Sequence, residues 1–360
     1  MRISALEAFP VAIPFREPYV TAAGTLERRE MVLVRLRAGA ESGWGDAVPL
    51  SLRGGEGLDA VLADLEGTCR ELLVGGELGP ADPAATGALV ACEQAGASMP
   101  ALAAVDAALL DLAGRSSGEP AWRVLGASSA AAVDCNGTLG GGEPGEVAER
   151  AAELVRAGFR TLKVKVGTGA DRERVGAVRA AADPSVALRV DANGSWDVET
   201  ARVELSAMGA LELAEQPCAT VEELAQLRRL VEVPVVADES VGTVEDADRA
   251  LALAACDGAT LKLSKVGGPR RALAVAAGLP CYLSSALDSP LGIAAAVATA
   301  QAMPATGFAA RLAHGLATSP LFADNVADAS AMRGPAIEPT GAAGLGVAID
   351  EAAVKRLLIR

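Results

Sequence analysis

Ionisable side chains recur at regular intervals through the middle of this sequence. Lys165, Asp191, Glu215, Asp238 and Lys262 follow one another 23 to 26 residues apart, and each comes at or just after the end of a short apolar run. That interval fits one strand, one helix and their connections, so the pattern predicts an ionisable residue at the end of five successive strands. Carboxylates and amines gathered in this way can hold metal ions and move protons.

The three acidic residues, Asp191, Glu215 and Asp238, are candidate ligands of one cation. Three carboxylates that point at the same place would repel one another and take up protons unless a positive ion held them. A set of oxygen ligands without His or Cys favours a hard ion such as Mg²⁺ over Zn²⁺. A single Asp of this kind would ordinarily be interpreted as a helix N-cap. The repetition on neighbouring strands is what favours a metal site.

Lysines flank these carboxylates on both sides and are candidate bases for proton transfer. Lys163 and Lys165 are two residues apart on one predicted strand, so their side chains point to the same face. Lys262 lies beyond the last acidic residue. We expect neighbouring positive charge and partial burial to lower the pKa of such a lysine toward the range in which it can accept a proton. A lone pair of lysines would more often mark a solvated strand edge.

The elements that must position these residues alternate between strand and helix. This alternation predicts an α/β fold with parallel strands, either a closed (β/α) barrel or an open doubly wound sheet. In a barrel the strand ends meet at one face, where catalytic groups lie. The predicted strands are Val133–Thr138, Thr161–Val166, Ala187–Asp191, Leu211–Glu215, Val233–Ala237, Ala259–Leu263, Cys281–Leu283 and Gly307–Ala309. The helices between them are predicted to begin near Glu146, Ala170, Asp197, Val221, Val244, Gly268 and Pro290.

The N-terminal part is predicted to contain strands followed by helices. Two strand-like runs, Arg2–Ile13 and Met31–Arg37, are separated by a predicted loop over Pro14–Glu30. A glycine-rich loop follows at Ser51–Gly57. Apolar residues at helical spacing then predict a helix over Ala101–Ala113.

Composition excludes several classes of function. The formal net charge of −14 disfavours nucleic acid and anionic membranes as partners, and an anionic substrate would need a local cation. The most apolar stretch, Leu291–Met303, contains Thr299 and Gln301 and is predicted to be a buried helix. The six cysteines form no CxxC pair and are typical of buried, reduced thiols. We therefore expect a soluble cytoplasmic protein.

At these residues the sequence resembles the enolase superfamily, in its muconate-lactonizing-enzyme subgroup. The resemblance extends over nearly the whole chain and depends on the order and spacing of several motifs. The motifs are GWGDAVPL at 43–50, ALLDLAG at 108–114, KVKV at 163–166, DANGSW at 191–196, EQP at 215–217, ADES at 237–240 and LKLSKVGG at 261–268.

The resemblance implies a domain organisation, a cofactor and partners. A (β/α)₇β TIM-like barrel over residues 129–325 would carry the active site. An α+β capping domain would consist of residues 1–128, completed by the C-terminal tail 326–360. The cofactor would be Mg²⁺, with Mn²⁺ as an alternative. The substrate would be a small-molecule carboxylate, and the chain would assemble as a homo-oligomer.

The family's motifs also imply roles for individual residues. The metal ligands would be Asp191, Glu215 and Asp238. The catalytic lysines would be Lys165, Lys262 and Lys163. Support for the ligands, without contact to the metal, would come from Asn193 and Glu239. The substrate-binding residues would be Ser284, Ser285, Gly24 and Leu50.

The segment after the seventh predicted strand narrows the resemblance. Residues 284–289, SSALDS, are similar to the o-succinylbenzoate synthases, which dehydrate a cyclohexadiene carboxylate in menaquinone biosynthesis. By this resemblance Lys165 would take the α-proton and help hydroxide leave, while Lys262 would stabilise the enediolate. The mandelate-racemase-like branch uses a His on the seventh strand. The one histidine here, His314, lies beyond that strand and is expected to be a loop or packing residue.

Specificity in this family comes from capping loops, which here would be Pro18–Thr25 and Ser51–Gly57. One alternative in the same subgroup is a racemase or epimerase of N-acyl amino acids or dipeptides, or a muconate-type cycloisomerase, with proton exchange on opposite faces. Dipeptide epimerases favour a DxD motif after the seventh strand, and Asp288 has no such partner. The alternative from another class is a barrel that binds without catalysing.

Overall fold

The computed structural model describes residues 2–21, 24–51, 54–77, 83–304 and 306–359. The strands are β1 (Ala5–Thr21), β2 (Gly24–Ala38), β3 (Glu41–Ala47), β4 (Val133–Asp134), β5 (Gly137–Leu139), β6 (Thr161–Lys165), β7 (Ala187–Asp191), β8 (Leu213–Glu215), β9 (Val235–Ala237), β10 (Gly258–Leu261), β11 (Cys281–Leu283) and β12 (Ala336–Ile337). The α-helices are α1 (Leu58–Asp64), α2 (Arg70–Leu73), α3 (Pro83–Gln94), α4 (Met99–Ser117), α5 (Ala121–Val124), α6 (Pro144–Arg156), α7 (Asp171–Ala181), α8 (Val198–Ala207), α9 (Val221–Leu227), α10 (Val244–Ala252), α11 (Leu263–Val266), α12 (Pro269–Gly278), α13 (Pro290–Ala302) and α14 (Glu351–Leu357). A π-helical turn lies at Leu65–Cys69, and 3₁₀ turns lie at Phe308–Arg311, Ser319–Leu321 and Ser330–Met332.

A parallel sheet with the strand order β11-β10-β9-β8-β7-β6-β5 forms the barrel. Residues 314–315 join its two edges. Gly315 N donates to Leu283 O at 2.8 Å beside β11, and His314 N donates to Asp134 O at 2.7 Å just before β5. The sheet therefore closes on itself, which decides between the closed barrel and the open sheet that the alternation left possible.

Two strand predictions at this closure are wrong in detail. Gly307–Ala309 is not a strand, because Phe308–Arg311 forms a 3₁₀ turn and the bridge falls at 314–315 instead. The run Val133–Thr138 divides, since β4 pairs antiparallel with β12 of the C-terminal tail while β5 joins the barrel. Both differences depend on pairing with distant segments, which leaves no local signal in so short a run.

Three of the helices that connect the barrel strands begin at residues that cap them. Asp197 accepts a hydrogen bond from Thr200 N at the start of α8. Thr220 and Thr243 form capping boxes at the starts of α9 and α10. Each cap satisfies backbone N–H groups that the first helical turn leaves without partners. The predicted starts of these helices are confirmed.

The N-terminal sheet has the antiparallel order β1-β2-β3. The predicted loop over Pro14–Glu30 is wrong, because β1 continues to Thr21 and β2 begins at Gly24, with a register shift between Pro14 and Tyr19. Proline is tolerated there because β1 is an edge strand of this sheet and its outer side needs no N–H donors. Phe15 stacks on Phe322, with ring centroids 5.0 Å apart, so this hairpin contacts the segment that follows the barrel closure at residues 314–315.

The C-terminal tail returns to both parts of the fold. Ile359 N donates to Pro10 O of β1 at 3.1 Å, and β12 pairs with β4. The tail thus contacts both the N-terminal sheet and the strand before the barrel. The division into residues 1–128 with 326–360 and residues 129–325 stays a prediction. The six cysteines are buried and free of disulfides, as expected. None of the described helices combines the length and apolar character that a bilayer span requires.

Helix α4 packs closely on β3 of the N-terminal sheet. It extends beyond the predicted Ala101–Ala113 and ends at Gly118, whose φ is 74°. Gly43 and Gly45 of β3 lie against its backbone, where a Cβ on Gly43 would collide with the carbonyl of Ala108. The two glycines of the GWG motif, Gly43 and Gly45, are therefore required by this close approach.

We expect Gly43→Ala to lower the free energy of unfolding by about 1 to 3 kcal/mol, because the new methyl group must displace the backbone of α4. Denaturant unfolding measures the change. Gly87→Ala in α3 is the control: no atom lies near its Cβ position, and it is expected to be neutral or slightly stabilising. Equal stability of the Gly43 variant and the unmodified chain would contradict the packing described.

Candidate active site

The five ionisable residues at the strand ends come together at one rim of the barrel. In the parallel register Lys165 lies opposite Asp191, and Asp191 lies opposite Glu215. Asp238 and Lys262 directly follow β9 and β10. The side chains of the three acidic residues are fully buried. The predicted strand-end placement is thus confirmed, whereas their role as ligands stays a prediction.

Lys163 lies between two of the carboxylates. Its Nζ is 3.1 Å from Asp191 Oδ2 and 3.1 Å from both carboxylate oxygens of Glu215. The two acidic groups are therefore within roughly twice a hydrogen-bond length of each other. Lys163 is buried, so its ammonium group contacts carboxylates in place of water.

Lys165 is the more exposed of the two lysines on β6. Its Nζ donates to Asp191 Oδ2 at 2.7 Å and to Asn193 Oδ1 at 2.6 Å. Asn193 in turn donates through Nδ2 to Glu239 Oε1 at 3.0 Å. The structure thus brings Asn193 and Glu239, both predicted to support the ligands, into one chain of hydrogen bonds with Lys165.

Two lysines hold Asp238 on the other side of the rim. Lys262 Nζ contacts Asp238 Oδ2, and Lys265 Nζ donates to Asp238 Oδ1 at 2.9 Å. Lys265 was assigned no role from the sequence, although its position one helical turn after Lys262 could have indicated it. Gln216 was also missed: its Oε1 accepts from Asp238 N at 2.7 Å and fixes the backbone that carries this acidic group.

The carboxylate oxygens at the rim are of the type that binds a hard cation, but in this structure lysines contact them. Oxygen atoms of three buried carboxylates are the donors that Mg²⁺ prefers. Among the described residues, however, no three acidic, imidazole or thiol groups stand where they could share one ion. Lys163 occupies the space between Asp191 and Glu215, and Lys165 contacts the same Asp191 oxygen, Oδ2. Lys262 and Lys265 contact the two carboxylate oxygens of Asp238. Ammonium groups supply the positive charge here.

The charges of this cluster shift the pKa values of its members. Burial alone would lower the pKa of Lys163, but the carboxylates of Glu215 and Asp191 outweigh it and hold the pKa well above its ordinary value. Burial likewise opposes ionisation of Asp191, yet Lys165 and Lys163 hold its pKa below the usual range. Contact with these two carboxylates thus shifts the pKa of Lys163 upward, opposite to the lowering expected from the sequence.

The two serines predicted to bind substrate differ in their surroundings. Ser284 directly follows β11, and its side chain lies against Gly315 at the closure of the barrel. The hydroxyl of Ser285 donates to Asp288 Oδ2 at 2.6 Å and accepts from Leu287 N and Asp288 N, both at 3.0 Å. The Ser285 hydroxyl also accepts from Thr318 Oγ1 at 3.0 Å, so it is engaged by its own turn and by the segment after the barrel closure. Substrate contact stays a prediction for both serines.

The N-terminal residues predicted to bind substrate belong to two segments beside the barrel. Gly24 begins β2, and Leu50 closes a turn through its N–H to Glu56 O at 3.1 Å. One guanidinium nitrogen of Arg29 donates to Pro49 O at 2.7 Å and to Ala286 O at 3.2 Å, which ties the Leu50 segment to the turn after β11. Residues 22, 23, 52 and 53 of the two expected capping loops lie outside the described residues.

An aromatic residue that the sequence did not suggest supports the acidic cluster from below. Tyr282 is buried in the barrel, and its hydroxyl donates to Glu215 Oε2 at 2.7 Å. The guanidinium of Arg189 lies 4.9 Å from the centre of the Tyr282 ring. Inward-facing positions alternate along each strand, so Arg189 and Tyr282 form the layer beneath Asp191 and Ser284.

His314 lies at the barrel closure and not among the acidic residues. Its Nδ1 accepts a hydrogen bond from Leu283 N at 3.0 Å, so that nitrogen carries no proton. Burial, with a smaller effect of the Arg189 charge, lowers the pKa of His314 from 6.5 to about 4. This geometry agrees with the packing role expected for it.

Two family models match the chain. Residues 146–353 match the family described as enolase C-terminal domain-like. Residues 4–126 match the N-terminal domain of the mandelate racemase / muconate lactonizing enzyme family. Together the two matches include the N-terminal sheet and the barrel strands β6 to β11.

Two o-succinylbenzoate synthases are similar to this chain in sequence. The chain is 43% identical over 238 residues to the o-succinylbenzoate synthase of Mycobacterium ulcerans, covering 62% of this chain and 68% of the relative. It is 44% identical over 222 residues to the o-succinylbenzoate synthase of Mycobacterium marinum, covering 58% of this chain and 63% of the relative. The matched part thus spans about two thirds of each relative.

A solved structure with a bound metal has the same fold. It is a dipeptide epimerase from Cytophaga hutchinsonii complexed with Mg and the dipeptide D-Ala-L-Val. It superimposes with a TM-score of 0.90 at 28% identity, covering 99% of this chain and 98% of that chain.

We expect the imidazole of His314, the one histidine of the sequence, to titrate in the folded protein near the value of about 4. Because its pKa is lowered in the folded state, the associated stability is lost as pH falls from about 6.5 toward about 4. Proton NMR of the histidine ring measures the midpoint, with the unfolded chain as the control. A folded-state midpoint near 6.5 would contradict the neutral acceptor described.

Proposed function

The chain belongs to the enolase superfamily, and we propose that it removes a proton next to a carboxylate in a Mg²⁺-dependent dehydration that yields o-succinylbenzoate. The observation that carries this proposal is the row of three buried carboxylates with Lys165 on one side and Lys262 on the other. The names of the relatives from Mycobacterium ulcerans and Mycobacterium marinum support this particular reaction.

Asp191, Glu215 and Asp238 would hold the metal, since their buried oxygens are hard ligands on adjacent strands. When bound, Mg²⁺, or Mn²⁺ as the alternative, would supply positive charge against the second negative charge that forms as the substrate loses its α-proton. Tyr282 would keep the Glu215 carboxylate oriented through its 2.7 Å hydrogen bond. Gln216 would do the same for the backbone of Asp238.

Lys165 would act as the base and then as the acid. Its amine takes the α-proton, the electrons of the C–H bond pass into an enediolate, and these then form the C=C bond as the C–O bond to the leaving hydroxyl breaks. The same proton returns to that hydroxyl, which departs as water. Lys165 suits this role because its side chain is 24% exposed, whereas that of Lys163 is 7% exposed and fixed between two carboxylates. Lys262 would stabilise the enediolate as a fixed positive charge.

A racemase or epimerase is the second candidate function, favoured by the likeness to the dipeptide epimerase and by the presence of two lysines. Asp288 argues against the dipeptide substrate. Its carboxylate is buried and accepts hydrogen bonds from Ser285 Oγ and Ala286 N, so it is turned into its own loop. We propose a small-molecule carboxylate as the partner in either case, and assembly into a homo-oligomer stays a prediction.

We expect Lys165→Ala to lower turnover of the cyclohexadiene carboxylate by about 10³-fold, the usual cost of removing a general base. The melting temperature is expected to change little, because Lys163 still neutralises Asp191. Steady-state kinetics and thermal unfolding are the measurements, with Lys355→Ala in the exposed part of α14 as the control. Turnover that is unchanged in the Lys165 variant would favour the non-catalytic barrel.

A second experiment separates elimination from proton exchange on two faces. Lys262→Arg keeps the positive charge but removes an amine that can act as a base. If Lys262 acts only through its charge, the variant is expected to lose less than about 10²-fold in the rate of dehydration. In D₂O, N-acyl amino acids and dipeptides are expected to gain no α-deuterium. Deuterium uptake from both enantiomers, lost for one of them in Lys262→Arg, would instead favour the racemase or epimerase.

A further inference from the structure

Two of the buried acidic residues outside the rim cluster, Asp46 and Asp288, lie close to each other and have no part in the proposed reaction. Asp46 belongs to β3 of the N-terminal sheet and is 4% exposed. Asp288 is 8% exposed and lies in the connection between β11 and α13, four residues after Ser284. Acidic side chains are seldom buried to this extent unless an ion, a hydrogen bond or a proton compensates the charge.

Asp46 connects the N-terminal sheet to a barrel helix. Its Oδ2 accepts hydrogen bonds from the backbone N of Ser289 at 2.9 Å and from the Ser289 hydroxyl at 2.6 Å. Ser289 is the N-cap of α13, and its hydroxyl also accepts from Leu291 N at 3.2 Å. A carboxyl group from one part of the fold thus helps to cap a helix of the other part.

Asp288 organises the turn that precedes this helix. Its Oδ2 accepts from Ser285 Oγ at 2.6 Å and from Ala286 N at 2.8 Å. Leu287 is held at φ 70°, a conformation that a residue with a branched side chain rarely adopts. Hydrogen bonds to Asp288 and to Ser285 therefore hold a turn that local backbone preference disfavours.

The side chains of Asp46 and Asp288 both lie against Gly292. A Cβ on Gly292, in the first turn of α13, would lie 2.6 Å from Asp46 Oδ1 and 2.7 Å from Asp288 Cβ. The absence of a side chain at Gly292 is what allows both groups to approach. Because they are close and buried, ionising both would place two negative charges together in a region of low dielectric.

Burial and the neighbouring Asp288 raise the pKa of Asp46 to about 7, and burial also raises the pKa of Asp288. Arg29 of β2 is a charged group that acts on Asp288 from another strand, and it opposes the rise in the pKa of Asp288. The hydrogen bonds from Ser289 and Ser285 oppose the rise as well but do not cancel it.

We propose that Asp46 and Asp288 act as positioning residues, which fix residues 284–289 against the N-terminal sheet and so place Ser284 at the barrel mouth, and that this role requires one of the two carboxyl groups to be protonated. Their action on the turn does not depend on the reaction assigned above, whereas the consequence for substrate rests on the proposed function. Loss of that proton leaves two negative charges in the buried space beside Gly292 and loosens the turn. The raised pKa of Asp46 gives the sign: the stabilising effect is full at low pH and is lost as pH rises through about 7.

Hydrogen exchange of the backbone tests the first part without any substrate. The amide N–H groups of residues 285–289 are all hydrogen-bonded, to Gly315 O, Asp288 Oδ2, Ser285 Oγ or Asp46 Oδ2. After correction for intrinsic rates, we expect their protection in the unmodified protein to fall about tenfold between about pH 6 and about pH 8. Asp46→Asn cannot ionise, so its protection is expected to change by less than about twofold over the same range.

Asp64→Asn is the matched control, because Asp64 also caps a helix start, through Ser98 N at 2.9 Å, but lies away from the pair. It is expected to keep the pH dependence of the unmodified protein. If Asp46→Asn fails to fold, Asp288→Asn tests the same loss of pH dependence. Equal protection at both pH values in the unmodified protein, or the same fall in Asp46→Asn, would overturn the proposal.

Kinetics test the consequence for substrate. With the cyclohexadiene carboxylate, we expect the KM of the unmodified protein to rise at least about threefold more than that of Asp46→Asn between about pH 6 and about pH 8, with kcat affected equally in both. A KM that follows the same pH profile in both proteins, together with the expected exchange result, would overturn the positioning role for substrate. Absence of turnover in the unmodified protein would contradict the proposed function and leave the exchange result intact.

Discussion

Negative charge buried at the barrel rim has to be matched by positive charge, and the rest of this structure is arranged around that requirement. Asp191, Glu215 and Asp238 are fully withdrawn from solvent. Carboxylates in such a place are ionised only if cations adjoin them. Lysines from β6 and from the segment after β10 provide those contacts, and a divalent ion bound among the same oxygens would satisfy the same need.

The fold makes this cluster possible by bringing distant segments to one rim. Short parallel strands place one ionisable residue each, and the closure at residues 314–315 turns the sheet into a ring in which the two lysine-bearing strands flank the acidic ones. Beneath the rim, Arg189 and Tyr282 fill the barrel with a polar layer that is itself hydrogen-bonded to the Glu215 carboxylate. The interior is thus packed and polar at once, which fixes the orientation of the charged groups above it.

A second acidic pair, at the boundary between the N-terminal sheet and the barrel, satisfies the same electrostatic requirement differently. Asp191 is held ionised by two lysines, which lower its pKa. Burial and the neighbouring Asp288 raise the pKa of Asp46 to about 7, and a proton on this pair would remove one of its two negative charges. Buried aspartates therefore have opposite pKa shifts at the rim and at the boundary with the N-terminal sheet, because the neighbouring charged groups differ.

The sequence by itself determined the strand and helix alternation, the strand-end positions of Lys165, Asp191, Glu215, Asp238 and Lys262, and the helix starts with capping residues, because these follow from local periodicity and local hydrogen bonds. It missed the continued β-hairpin at residues 14–21 and 24–30, the split of Val133–Thr138 and the closing bridge at 314–315, which depend on pairing with distant segments. From the sequence we expected a lowered pKa for Lys163, but the structure places this lysine between two carboxylates, which raise its pKa. Only the tertiary structure decided which charges touch, since electrostatic effects depend on distances of a few ångströms between residues far apart in the chain.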